Sequence, residues 1–178
     1  MAKTNWNISG IGGQAVIIES GSKRCELSGT KLMLYNGASS LTNCQLIADI
    51  KLYGAAGYNQ GGIIFRSNAA GTNGYAFIRS YIGGIGKNCY VYKIVDGVWT
   101  QIAFATTTFA YTDWVRTRVR MDGWQISVDE WISGAWSQLK LIEETTHQHA
   151  SGYIGLIGTS TNVVGSILFD NVDIGEKA

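Results

Sequence analysis

Proline is absent from these 178 residues and charge is scarce. Asp, Glu, Lys and Arg make up 15% of the chain, against about 25% in an ordinary soluble domain. Without proline the turns rest on glycine, of which there are 23, because glycine reaches positive φ without steric cost. Chains of many short strands use that turn chemistry. The low charge implies a mostly uncharged surface of Gly, Ser, Thr, Asn and Gln. A formal net charge of +1 gives no electrostatic basis for binding nucleic acid or an anionic membrane. No apolar run reaches membrane-spanning length, and the opening "MAKTNWNISG" does not read as a secretory leader. A single domain over residues 1–178 is expected.

Reactive side chains are equally few. Cys25, Cys44 and Cys89 cannot all pair within one chain. Each falls in a run that reads as strand interior, which predicts buried, reduced thiols, with a Cys25–Cys44 bridge as the alternative. No Cys/His spacing suits zinc. His147 and His149, in "TTHQHAS", are the only histidines and read as part of a solvated loop, since a metal there would need carboxylates brought in by folding. Neither a Gly-x-Ser-x-Gly elbow nor a phosphate-binding loop is present.

What the chain does contain is strand after strand. "GQAVIIES", "KLMLYNG", "GGIIFRS" and "GYAFIRSYI" are short β-branched and aromatic runs separated by Gly, Asn, Ser and Thr. "NCQLIADIKLY" alternates Cys44, Leu46, Ala48, Ile50 and Leu52 against mostly polar residues, the signature of a half-buried strand. "WSQLKLIEET", "GYIGLIG" and "SILFDNVDI" continue the series, and no capped amphipathic helix interrupts it. The chain is all-β, and its physical options are a two-sheet sandwich, a jelly roll or a closed barrel.

Two hairpins stand out. In "NCYVYKIVDGVWTQIAF" the dipeptide Asp96-Gly97 suits a two-residue type I′ turn. Pairing Val95 with Val98 puts Cys89, Val91, Ile102 and Phe104 on one face and Tyr90, Tyr92, Ile94, Trp99 and Gln101 on the other. Both faces are sticky, so the aromatic one needs a purpose beyond the core. In "WVRTRVRMDGWQISVDEW" a turn at Asp122-Gly123 sets Val119 against Ile126 and Thr117 against Val128 on the buried side. Its polar side then pairs Arg116 with Asp129, Arg118 with Ser127 and Arg120 with Gln125.

Taken together, "NCQLIADIKL", "GGIIFRS…NGYAFIRS", "VYKIVDGVWTQIA", "WVRTRVRMDGWQISVDEW" and "GYIGLIG…ILFDNVDI" resemble the concanavalin A-like lectin and glucanase superfamily in its laminin G-like branch. The resemblance covers most of the chain and implies a jelly roll of two curved antiparallel sheets, one of which commonly serves as a ligand groove. Tyr90, Tyr92 and Trp99 would then form a platform for sugar rings, with Gln101 bonding sugar hydroxyls. Arg66, Arg116 and Arg118 are further candidates for lining such a groove. The hydrolytic members carry a Glu-x-Asp-x-x-Glu strand, which this sequence lacks. Asp129 and Glu130 are adjacent, so they point to opposite faces, and Glu143 and Glu144 do the same. The resemblance also admits calcium, with Asp170, Asn171 and Asp173 as candidate ligands. No other cofactor is expected.

Three functions follow as expectations. The first is a non-catalytic domain that binds a glycan or cell-surface polysaccharide, displayed in many copies on a bacteriophage virion after assembly in the host cytoplasm. An extracellular location is the alternative if an export signal has been removed. The second is a structural decoration protein whose aromatic face packs against capsid or tail proteins or in a homo-oligomer. The third is a glycoside-active enzyme of unfamiliar mechanism.

Overall fold

A computed structural model describes residues 6–10, 14–19, 22–28, 30–35, 40–53, 59–82, 85–110, 112–159 and 166–176. These residues contain strands and turns and no helix. In chain order the strands are β1 (Trp6–Gly10), β2 (Gln14–Glu19), β3 (Ser22–Ser28), β4 (Thr30–Tyr35), β5 (Cys44–Tyr53), β6 (Asn59–Ser67) and β7 (Gly74–Ile82). They continue with β8 (Ile85–Val95), β9 (Val98–Thr106), β10 (Val115–Asp122), β11 (Gln125–Ile132), β12 (Ala135–Glu143), β13 (Tyr153–Thr159) and β14 (Ser166–Glu176).

The strands form two seven-stranded antiparallel sheets. The first runs β1-β4-β13-β6-β7-β8-β9 and the second β12-β11-β10-β5-β14-β3-β2. The all-β expectation and the jelly-roll sandwich are therefore both met. Period-2 alternation drives the assembly. Leu46, Ala48, Ile50 and Leu52 of β5 and Ile167 and Phe169 of β14 face Ile63 and Phe65 of β6, Tyr75 and Phe77 of β7 and Leu156 of β13 across one continuous core.

The β8–β9 hairpin closes as expected at Asp96-Gly97, with φ of 49° and 81°, the positive pair that a type I′ turn demands. Farther along it departs from strict alternation. Val91 pairs with Ala103 while Tyr92 pairs with Gln101, so Ile102 is the extra residue of a bulge. Everything beyond it on β9 changes face. Ala103 and Ala105 pack against the core with Ile102, and Phe104 comes opposite Tyr90 instead of joining Cys89 and Val91 inside.

The β10–β11 hairpin also differs from expectation. Asp122 pairs with Gln125, so the turn is Gly123-Trp124 and the register is displaced by two residues. Gly123 has φ 56°, fitting a turn whose first central residue is glycine. Trp124 is held there by Arg66, whose guanidinium lies 4.9 Å from the indole centroid, and by the His147 ring at 4.6 Å. A two-residue displacement keeps each side chain on its face but changes its partner. Arg118 meets Asp129, Arg120 meets Ser127, and Arg116 comes opposite Asp49 of β5.

All three cysteines are free and buried, so there is no Cys25–Cys44 bridge. Burial pushes the Cys25 and Cys44 thiols up to about 11 and that of Cys89 up to about 12. At a pH near the ordinary thiol value of about 8.5 they should therefore stay protonated and unreactive. Iodoacetamide should label none of them in the folded chain and all of them in urea. Labelling of the folded chain would contradict this burial.

Candidate functional site

The outward face of the first sheet carries a second, smaller apolar layer. Leu32, Leu34, Ile64, Ala76, Ile78, Ile94 and Ile157 pack together there, with Tyr92 and Tyr153 against them. They occupy the alternate positions to the residues of the main core. Along β8 and β9 this layer ends in a row of rings. Trp99 meets Tyr92 at 5.5 Å, Tyr92 meets Tyr90 at 5.8 Å, and Tyr90 meets Phe104 at 5.5 Å between centroids. Trp99 is 36% exposed and Phe104 45%, whereas Tyr90 and Tyr92 are half-buried.

Beside the row lies a trough of about 330 Å3 lined by Thr30, Gln60, Ile78, Tyr92, Trp99 and Thr159. Gln60 comes from β6, Ile78 from β7 and Thr159 from β13, so the trough exists only once the sheet has formed. The polar groups around it are orientated by one another. Gln60 Nε2 donates to Ser80 Oγ at 2.9 Å, Thr159 Oγ1 donates to Gln60 Oε1 at 3.3 Å, and Asn88 Nδ2 donates to the Tyr90 hydroxyl at 3.2 Å. Burial, and then neighbouring Tyr90, push the Tyr92 phenol above its ordinary value. It stays a neutral donor and acceptor throughout the physiological range. Gln101 sits opposite Tyr92 and is exposed.

The structure thus brings together Tyr90, Tyr92, Trp99 and Gln101 as proposed from the sequence. It separates the three arginines from them. Arg66 has φ 47°, which turns it off the β6 alternation into the end of the sandwich. There its guanidinium donates to the carbonyl oxygens of Thr42, Gly123 and His149. Arg118 and Arg120 lie on the outward face of the second sheet, both bonded to Asp129 at 3.1 and 3.2 Å. The Arg118 guanidinium also covers Trp136 at 4.3 Å. Arg116 is on that same distant face and exposed.

The histidine loop is more ordered than a solvated connection. Glu144 accepts hydrogen bonds from the Tyr75 hydroxyl, the Thr146 amide and hydroxyl and the His147 amide. His149 Nε2 lies 2.8 Å from the Ile94 carbonyl oxygen. Burial alone would raise the Glu144 carboxyl, but the bonds from Thr146, Tyr75 and His147 hold it below the usual range. Glu144→Gln should cost about 1.5 to 3 kcal/mol at neutral pH. A carboxyl held below its unfolded value contributes stability that is lost as acid protonates it, so the deficit should shrink as pH falls through the carboxylate range. Urea unfolding at neutral and acid pH measures this; a deficit independent of pH would refute it.

The candidate calcium ligands Asp170, Asn171 and Asp173 lie at a bulge of β14. Asn171, with φ 47°, sits in a bulge where β5 pairing skips from Asp170 to Asp173. Its amide nitrogen is turned to Asp49 at 2.6 Å and its backbone N–H to Asp170. Among the described residues no group of three His, Cys, Asp or Glu side chains could hold a metal ion. The carboxylates considered for catalysis are likewise apart. Asp129 faces outward to Arg118 and Arg120, while Glu130 points into the core and accepts from Thr107 Oγ1 at 2.7 Å.

Sequence reasoning missed Phe104, concealed by the bulge, and Gln60, Ile78 and Thr159, which converge from the successive strands β6 and β7 and the distant β13. The alternation of "NQGGIIF" and "GYIGLIGT" carried the signal for Gln60 and Thr159, but only the strand order places them side by side.

No protein-family model and no curated protein matches the sequence. Solved structures do match in shape. A carbohydrate binding module, CBM66 from Bacillus subtilis, superposes with a TM-score of 0.74 at 18% identity over 98% of this chain and 96% of its own. A legume lectin-like domain from Entamoeba histolytica gives 0.68 at 11% identity over 98% and 91%. The GH43 protein BlXynB from Bacillus licheniformis gives 0.70 at 9% identity, over 97% of this chain but 37% of its own. The chain therefore has the concanavalin A-like, lectin-type jelly-roll fold.

Proposed function

We propose that this chain is a non-catalytic carbohydrate-binding domain whose glycan lies on the outward face of the first sheet. The observation that carries the reading is the unbroken ring row Trp99–Tyr92–Tyr90–Phe104 beside a trough fringed with hydroxyl and amide groups. Ring faces carry partial negative charge and attract the C–H faces of sugars, while Gln60, Gln101, Thr159 and the tyrosine hydroxyls offer donors and acceptors to sugar hydroxyls. The carbohydrate binding module and the lectin-like domain that share the fold support this reading. Catalysis is not part of it, since retaining hydrolysis needs two carboxyl groups about 5 Å apart and Asp129 and Glu130 face opposite sides of their sheet.

A shallow face of this kind binds in the millimolar to micromolar range, about 4 to 8 kcal/mol, and becomes useful through many copies or a tethered partner. Display on a virion surface meets that need, and unpaired thiols suit assembly in a reducing cytoplasm. A glycan array probed with the purified chain, with molar mass measured in solution, tests the reading. Saturable binding by a monomer supports it. One observation favours assembly instead: Val98, Trp99, Phe104, Trp131 and Leu141, all exposed, lie on β9, β11 and β12. An oligomer that binds no glycan and falls apart when Phe104 becomes alanine would establish that second reading.

A further inference from the structure

Charge is distributed over the two sheets unevenly. The seven strands of the first sheet carry only Lys31, Arg66, Arg79, Lys87 and Lys93, and all five are directed away from the ring row. Lys31 alternates with Met33 of the main core, and Lys87 with Cys89 and Val91. Arg66 is bonded into the end of the sandwich, Arg79 is buried and donates to the Ile50 carbonyl oxygen of β5, and Lys93 Nζ donates to Thr146 Oγ1. Asp96, in the hairpin turn, takes its contacts from Asn73. The second sheet's outward face, by contrast, holds Arg116, Arg118 and Arg120 with Asp49 and Asp129. Segments outside the described residues contribute only Lys3 and Lys177.

A carboxylate or sulfate brought onto the first face would lose hydration and find no cation among the described residues to replace it, which is costly. Hydroxyl-only sugars meet no such penalty. The row also has direction, since Tyr90 with Phe104 opposite it, then Tyr92, then Trp99 succeed one another along β8 and β9, with 5.5 to 5.8 Å between neighbouring centroids. We propose that the ligand is an uncharged glycan chain laid lengthwise along β8 and β9, several sugar residues contacting successive rings, and that uronic, sialylated and sulfated glycans are excluded. This deepens the carbohydrate-binding reading and rests on it.

The test is calorimetric titration of the full chain with the tightest-binding neutral glycan from a broad array, as a ladder of chain lengths, beside acidic glycans of matched length. Affinity for the neutral series should rise with length until the row is covered, exceed that for the acidic series at least about tenfold, and change less than about twofold between ~0.05 M and ~0.5 M salt. Acidic chains bound as well or better, with binding that weakens in salt, would overturn the neutral-ligand proposal and leave carbohydrate binding standing. Neutral binding that is complete with a single sugar residue would overturn the lengthwise placement alone. Absence of binding to every glycan by a folded chain would overturn both this proposal and the reading beneath it.

Discussion

Replacing Tyr92 and Trp99 together by alanine is expected to weaken glycan binding by about a hundredfold while leaving the fold intact. Each ring offers a sugar an apolar surface worth roughly 1 to 2 kcal/mol, so losing two removes about 3 kcal/mol, or a factor of about one hundred. The rings meet edge to face at 5.5 Å, and the pair lines the trough, so the loss falls where row and trough meet. Tyr92→Phe keeps the stacking surface and removes a hydroxyl, and should cost less than tenfold. Unchanged binding by a folded double variant would separate the ring row from the function.

The largest effect on stability is expected at the buried polar group between the sheets. Arg79 is 2% exposed and Glu130 1%. The arginine donates to the Ile50 carbonyl oxygen at 2.9 Å, and Glu130 accepts from Thr107, yet Arg79 Nε and Glu130 Oε1 have no hydrogen-bond partner. Arg79→Ala should destabilise by about 3 to 5 kcal/mol, because it empties the space of a large, fully buried side chain and removes its bond to the Ile50 carbonyl oxygen. Burial raises the Glu130 carboxyl, against the opposing pull of Thr107 and Arg79. A carboxyl raised above its unfolded value binds its proton more tightly when folded, so stability is lost as pH rises from about 4.5. Glu130→Gln should therefore match the parent in acid and become relatively more stable toward neutrality, by urea unfolding. A variant that loses ground as pH rises would contradict this.

How much of this was legible follows from where the information resides. The alternation of β5 and the Asp96-Gly97 turn are local, and both were read correctly from a few residues. β1 escaped because "WNISG" is short and has no clear alternation, and the Ser133-Gly134 turn joining β11 to β12 was not recognised as a hairpin. The bulge at Ile102 has no local signature, yet it moves Phe104 to the outward face and so completes the ring row. Arg66 was only a candidate for that face, and its positive φ, which turns it away, has no mark in the sequence. The "NAAGTN" connection between β6 and β7 is tied by Asn68 Oδ1 accepting the Thr72 and Asn73 amides, which its composition does not announce. The trough depends on β13 lying between β4 and β6, a long-range fact that one sequence does not display.

If the proposed function holds, sugar rings lie on the Trp99–Tyr92–Tyr90–Phe104 row. A crystal structure of the full chain with the tightest-binding oligosaccharide tests it most directly. Sugar density is expected across these rings, with hydroxyls within hydrogen-bond distance of Gln60, Gln101 or Thr159. Density at the loop end around Arg66 and Trp124, or beside Trp131 and Trp136 on the second sheet, would contradict it.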